Sequence, residues 1–228
     1  MAPTDNMGNC ERMVACFRDL SPDELLLISS NKTELTYLAG ETIFKQDAFS
    51  SHVLLVMEGL VRVYLQTGRD KQLNLQLAKT GDFLAFSSVF GETIHTTSAV
   101  AVTDAQVCMI DKESMRSLLM DNSQFAMRIT SRNFQNERQL LSVISNITYK
   151  QMRGKLASAL LYLSNEDFQG LDVFRHLTRQ DIANFASIAT ESTIKILKEF
   201  ERDGIIALNG KDILVKNRAE LEKIERFG

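Results

Sequence analysis

The chain has 228 residues, 44% of them hydrophobic and 24% charged, with a formal net charge of −3 and three cysteines. This is the composition of an ordinary globular protein with room for one large core or two small ones, and it excludes collagen-like and low-complexity classes. No segment reaches the ~20 apolar residues of a bilayer span, and Met1–Cys10 lacks the apolar run of a signal peptide, so reduced thiols and a cytoplasmic protein are expected.

The first third reads as β-structure. Ser21-Pro22-Asp23-Glu24 is a helix start, with a serine cap, a proline at the first helical position and a capping-box glutamate. It opens a short apolar helix through Leu25 to Ile28. Beyond it apolar residues alternate, first Val61, Val63 and Leu65, then Leu73, Leu75 and Leu77. Turn signals separate the runs at Gly40, Glu58-Gly59, Thr67-Gly68 and Thr80-Gly81-Asp82. A further strand pair is expected near 98–102 and 106–110. Many short strands at close spacing predict a small antiparallel barrel or roll.

The texture changes near Asp111. From there to Ser164 no proline occurs, and Gly154 is the only glycine. Ile129, Leu140, Val143 and Ile147 follow one helical seam, interrupted by Asn133 and Asn136. A long helix with a partly polar seam suits a coiled-coil contact between two copies. Packing of the same helix on its own roll is the alternative.

The last 80 or so residues form a third texture. The stretch 148–228 holds 13 Lys and Arg against 12 Asp and Glu, so it is slightly basic while the remainder is acidic. Lys155–Leu163 predicts an apolar helix. Thr178 caps a second one, whose buried face is Ile182, Ala183 and Ala186. After a break at 187–189, a third helix spans 190–202 with Ile194, Leu197 and Phe200 on one side. Asn209-Gly210-Lys211 then joins two short strands, 205–208 and 212–215, as a hairpin. Two short helices, a tight turn and a hairpin describe a winged helix-turn-helix. Its second helix exposes Thr190, Glu191, Ser192, Lys195 and Lys198, side chains suited to base edges and phosphates in a major groove. A solvated helix face would also carry a Glu–Lys pair at i,i+4.

The stretch Leu177-Thr178-Arg179-Gln180-Asp181-Ile182-Ala183, followed by Glu191, Lys195-Ile196-Leu197-Lys198 and Asn209-Gly210-Lys211, closely resembles the DNA-binding domain of the Crp/Fnr family. The resemblance implies that Glu191 and Lys195 read bases, and that Thr178, Arg179, Gln180 and Lys211 hold the DNA backbone. Two departures stand out. Thr190 replaces a common base-reading arginine, and Ser187 replaces a common turn glycine.

Val56-Met57-Glu58-Gly59-Leu60-Val61-Arg62-Val63 and Gly81-Asp82-Phe83-Leu84 resemble the β-roll of cyclic-nucleotide-binding domains. Nucleotide-binding members continue with a small residue, a ribose-binding glutamate and a phosphate-binding arginine. This chain has Ala85, Phe86 and, near the arginine's place, Thr96-Thr97; Leu140 and Leu141 fall where purine contacts are expected. An anionic phosphate would therefore lose its charge-assisted partner. The expected effector pocket is Phe86, Thr96, Thr97, Leu140 and Leu141, for something other than cyclic AMP.

Cys10, Cys16 and Cys108 approximate three of the four ligand positions of the oxygen-sensing branch of the family, with Met7 near the fourth. A [4Fe–4S] cluster ordinarily takes four thiolates, and Cys108 also reads as a small buried hydrophobe. His95 falls on the loop where nucleotide phosphate would sit and is a candidate haem or metal ligand. No metal site is assigned, and the cofactor stays open between none, a cluster and haem.

The expected class is α+β: a β-roll sensor over 1–120, a dimerisation helix over 121–147 and a winged helix-turn-helix over 148–228, with a hinge near 146–150. The expected function is a sequence-specific, homodimeric transcription regulator, an activator, binding palindromic double-stranded DNA. RNA polymerase and a small-molecule effector or a redox signal are its other expected partners, with no membrane. The alternative is an effector-binding module whose helix-turn-helix is mainly a protein interface. No phosphate loop, metal-ligand pair or nucleophile elbow is present in the sequence, so no enzyme is expected.

Overall fold

A computed structural model describes Phe17, residues 20–69 and residues 71–228, apart from the side chains of residues 133, 135 and 136. The readings placed on Cys10, Cys16 and the side chains of Asn133 and Asn136 lie outside the described residues. The chain forms two compact units, residues 1–66 with 76–137 and residues 67–75 with 138–228.

In the first unit the capping box forms as expected. Ser21 and Glu24 exchange side-chain and backbone hydrogen bonds at the start of α1 (Pro22–Ser30). The strands β1 (Lys32–Tyr37), β2 (Thr42–Phe44), β3 (His52–Glu58), β4 (Val61–Gly68), β5 (Lys71–Ala78), β6 (Phe83–Leu84), β7 (Ser98–Ala101) and β8 (Ala105–Asp111) make two four-stranded sheets. Their orders are β1-β8-β3-β6 and β2-β7-β4-β5. The expected pairing of the last two strands does not occur. β7 pairs with β2 and β4, whereas β8 pairs with β1 and β3. The residues between them carry the chain from one sheet to the other.

The strand β3 is buried on both faces, because each face meets a different core. Leu54 and Val56 join Val61, Val63, Ala99 and Ala101 between the sheets. Val53, Leu55 and Met57 join Phe83, Phe86, Met115, Leu118 and Phe125 on the helical side. The turn after β3 requires glycine: Gly59 has φ +88°, and a Cβ there would lie 2.3 Å from the Asp104 carbonyl oxygen.

Helix α2 (Lys112–Asp121) is capped by Asp111, and Asn122 caps the start of α3 (Ser123–Tyr149) through the Phe125 N–H at 2.8 Å. Ile129 belongs to the helical core of the first unit, whereas Val143 is buried and Leu140 and Ile147 are partly exposed in the second. These four residues therefore do not form one exposed seam. Phe134, Leu141 and Ile144 are exposed instead, each at about 60%.

Within the second unit, α4 (Met152–Leu163) follows α3 after a break at Lys150–Gln151. It continues through α5 (Val173–His176), α6 (Arg179–Ala186), α7 (Thr190–Arg202), the hairpin β9 (Ile206–Asn209) and β10 (Asp212–Val215), and α8 (Arg218–Phe227). Leu156, Leu160, Ile182, Ala183, Leu197, Phe200 and Leu221 are all essentially inaccessible. Gly154 admits the last turn of α8, since a Cβ there would lie 2.5 Å from the Gly228 carbonyl oxygen. Residues 67–75 belong with this unit, where the fully buried Asn74 amide donates to the Asp181 carbonyl oxygen at 3.0 Å. Along β5 the buried residues are Asn74, Leu77 and Ala78, while the expected Leu73 and Leu75 are only half-buried.

Candidate nucleic-acid interface

The interface is built on two helices held at a fixed crossing. Thr178 caps α6: its hydroxyl accepts the Asp181 N–H at 3.1 Å, and Asp181 Oδ2 accepts the Thr178 N–H at 2.9 Å. Ala183, with no exposed surface, lets the helices approach. The turn between them needs a left-handed residue, and Ser187 occupies it at φ 53°. A serine is strained there where glycine would not be.

The face of α7 that turns inward is Thr193, Ile196, Leu197 and Phe200. Ile194, expected to be buried, is 40% exposed. The inward stripe runs in i, i+3, i+4, i+7 steps from Thr193, which sets Ile194 outside it. Glu191, Lys195 and Lys198 are exposed on the opposite side, and Ser192 and Thr190 are half-exposed at its margin. Arg202, four residues beyond Lys198, extends the same stripe with a side chain 77% accessible. The sequence reading passed over it, although the i+4 spacing marks it.

Two expected backbone-holding residues also act within the domain. The Thr190 hydroxyl donates to Gln180 Oε1, whose amide donates in turn to Asn184 Oδ1 at 2.9 Å. Gln180 thus joins α6 to the start of α7. Arg179 Nη1 donates to the Lys211 carbonyl oxygen at 3.0 Å, and Nη2 to that of Gly210 at 2.9 Å. Burial lowers the Arg179 pKa from its ordinary value, since desolvation disfavours its charge. The guanidinium ties the first helix to the tip of the hairpin and so places Lys211, which is exposed. Asn209 pairs with Asp212, so of the expected Asn209-Gly210-Lys211 connection the loop proper is Gly210-Lys211. Gly210 takes the positive φ, +61°, that the first loop position of a tight hairpin demands.

The residues expected at the sensor site are separated by environment. Phe86 is buried in the helical core, its ring 5.6 Å from that of Phe83. Ala85 before it sits at φ 55°, a position glycine would occupy without strain. Thr96 is exposed and Thr97 half-buried, while Leu140 and Leu141 are exposed on the part of α3 that belongs to the second unit. His95 is buried at 8% exposure and stacks on Phe44, with ring centroids 4.1 Å apart. Cys108 is wholly buried in the helical core with Val53, Leu55, Ile110 and Met115. Among the described residues no three His, Cys, Asp or Glu side chains gather to hold a metal ion. No described helix is long and apolar enough to cross a membrane.

A β-roll unit joined by a long helix to a winged helix-turn-helix defines a class of DNA-binding transcription regulators. Residues 34–122 match the cyclic nucleotide-binding domain and residues 154–224 the Crp-like helix-turn-helix domain. An anaerobic regulatory protein of Bacillus subtilis is 26% identical over 213 residues, 89% of this chain and 90% of the relative. A CRP-like cAMP-activated global transcriptional regulator of Mycobacterium tuberculosis is 20% identical over 214 residues, 92% and 96% of the two chains. Among solved structures, FixK2 from Bradyrhizobium japonicum superposes with TM-score 0.75 at 20% identity, covering 85% of this chain and 97% of that one. This protein belongs to the Crp/Fnr family, and it is a DNA-binding transcription regulator of that type.

Proposed function

We propose that the protein acts as a homodimer that reads a palindromic DNA site through Glu191 and Lys195 and responds to an effector other than cyclic AMP. The observation that carries the DNA reading is the outward stripe Glu191, Lys195, Lys198 and Arg202, opposite a fully apolar or hydroxyl-bearing inner face on α7. Glu accepts from cytosine N4, and Lys donates to guanine O6 and N7. Lys211 at the hairpin tip holds phosphate. Two such helices on a two-fold dimer meet half-sites about 34 Å apart. The exposed Phe134, Leu141 and Ile144 supply an apolar stripe on α3 for that dimer.

The exclusion of cyclic AMP is supported by Phe86. In place of a carboxylate able to accept from a ribose, the chain carries a ring committed to the core. Thr96 and Thr97 offer a phosphate hydroxyls but no cation. Whatever the effector, it shifts the protein toward DNA binding only by binding one conformation better than the other. RNA polymerase, met at the promoter, is the partner through which bound protein would change transcription.

The test is selection of bound sequences from randomised DNA, with affinity measured at two salt concentrations and sedimentation of the free protein. A palindromic consensus and a steep salt dependence are expected. DNA association without salt dependence would favour the protein-interface alternative, and salt-dependent but sequence-indifferent binding would remove base reading by Glu191 and Lys195. Calorimetric titration with cyclic AMP should show no binding in the micromolar range.

A further inference from the structure

The open end of the β-roll holds a cavity of about 270 Å³. Its walls are about half apolar, with Phe44, Leu54 and Met109 contributed by β2, β3 and β8 and Ala48 beside them, and about half polar, from Tyr37, Lys45, Ser51 and two histidines. Of the residues expected at the effector pocket, Phe86, Thr96, Thr97, Leu140 and Leu141, none lines it. One polar side chain stands out on the wall. His95 is more than nine-tenths buried, its ring stacked on Phe44 at an interplanar angle of 16°. Two backbone hydrogen bonds hold its segment in place, His95 N–H to the Ala48 carbonyl and Asp47 N–H to the His95 carbonyl, each 2.8 Å. Nothing among the described residues hydrogen-bonds the ring itself. His52, on the same wall, already has its Nδ1 engaged by Ser51 Oγ at 2.8 Å.

His95 lines the cavity and no described residue hydrogen-bonds its ring, so the site offers a bound donor an acceptor that otherwise only water can meet. We propose that this cavity is a binding site for a small, planar, uncharged aromatic molecule bearing one hydrogen-bond donor, which pairs with the free ring nitrogen of His95. Size supports the class, because an apolar cavity of about 150 Å³ already takes up benzene. The larger volume here admits two fused rings. Burial lowers the pKa of His95, which keeps the imidazole neutral and able to accept a hydrogen bond. Lys45 also lines the cavity and is an exposed residue.

The probe is indole, whose N–H is the donor and whose emission moves to the blue in apolar surroundings. The chain has no tryptophan, so emission excited beyond the tyrosine band comes from the probe alone. Titration of the full chain should give a saturable blue shift. Ala48→Phe, at an exposed position, should close the mouth and abolish it with circular dichroism unchanged. His95→Phe keeps the stacked ring and should weaken binding about tenfold. No saturable shift, or equal affinity in the wild type and Ala48→Phe, would overturn the site. Benzoate binding more tightly than indole would overturn the uncharged class. DNA plays no part in the readout, so the result stands apart from the regulator's DNA reading.

Discussion

The Arg132 guanidinium meets the Asp82 carboxylate at 2.7 Å, joining the long helix to the Gly81-Asp82 turn of the roll. The second carboxylate oxygen accepts the Lys79 N–H at 2.9 Å, so Asp82 closes its own turn while it holds the helix. Arg132 is one-third exposed, which limits the strength of the pair through solvent screening. Arg132→Met should cost about 1 kcal/mol of stability in urea. Asp82→Ala should cost more, because the turn loses its internal acceptor as well. Equal losses would show that the turn bond contributes nothing.

Arg179 supports the hairpin tip through two carbonyl oxygens. Arg179→Ala should speed amide hydrogen exchange around Gly210 and Lys211. It should also weaken DNA binding at all sequences alike, with base preference intact. Arg179→Lys should restore little, because a point charge cannot reproduce the two-pronged grip. Unchanged exchange at the tip would remove this role.

Base reading and phosphate holding separate by experiment. Glu191→Ala or Lys195→Ala should each cost roughly 1–3 kcal/mol and relax preference at particular base pairs. Lys211→Ala should weaken every site similarly and reduce the salt slope by about one. Unaltered preferences in both α7 variants would sink the assigned recognition helix.

The dimer stripe calls for surface positions. Charging Val143 would strike a residue only 7% exposed and confound association with folding. Leu141→Glu combined with Ile144→Glu alters residues about 60% exposed. Sedimentation should then give monomers of unchanged helicity, with weaker binding to palindromes. A mass equal to that of the wild type would reject the stripe.

His95 gives stability a pH dependence. Its ordinary pKa of 6.5 is lowered in the folded state by desolvation. Below that value the unfolded chain takes up a proton that the folded chain resists, so stability falls as pH drops and levels off once folded His95 also protonates. His95→Gln should flatten this part of the profile. Urea midpoints at about pH 7.5 and pH 5.5 provide the comparison. The wild type should lose more on acidification than the variant.

Features whose cause lies within a few residues were legible in the sequence. The Ser21–Glu24 capping box, the Thr178 cap, the turn glycines at 40, 59 and 81, and the helix-turn-helix followed by a hairpin all appear where local spacing placed them. Each depends on bonds that close over three or four positions, so neighbouring residues carry the whole signal. The outward Glu191–Lys195 pair follows from the same helical period. Tertiary structure alone decided the partners reached over long distances. It placed β7 and β8 in different sheets, directed the Arg179 guanidinium to backbone carbonyls 31 and 32 residues away, and buried Asn74 rather than Leu73 and Leu75. It also committed Phe86 to a core and left His95 facing a cavity. Alternation and period identify the two faces of an element, but the neighbour that covers a face is set by the packing of the whole unit.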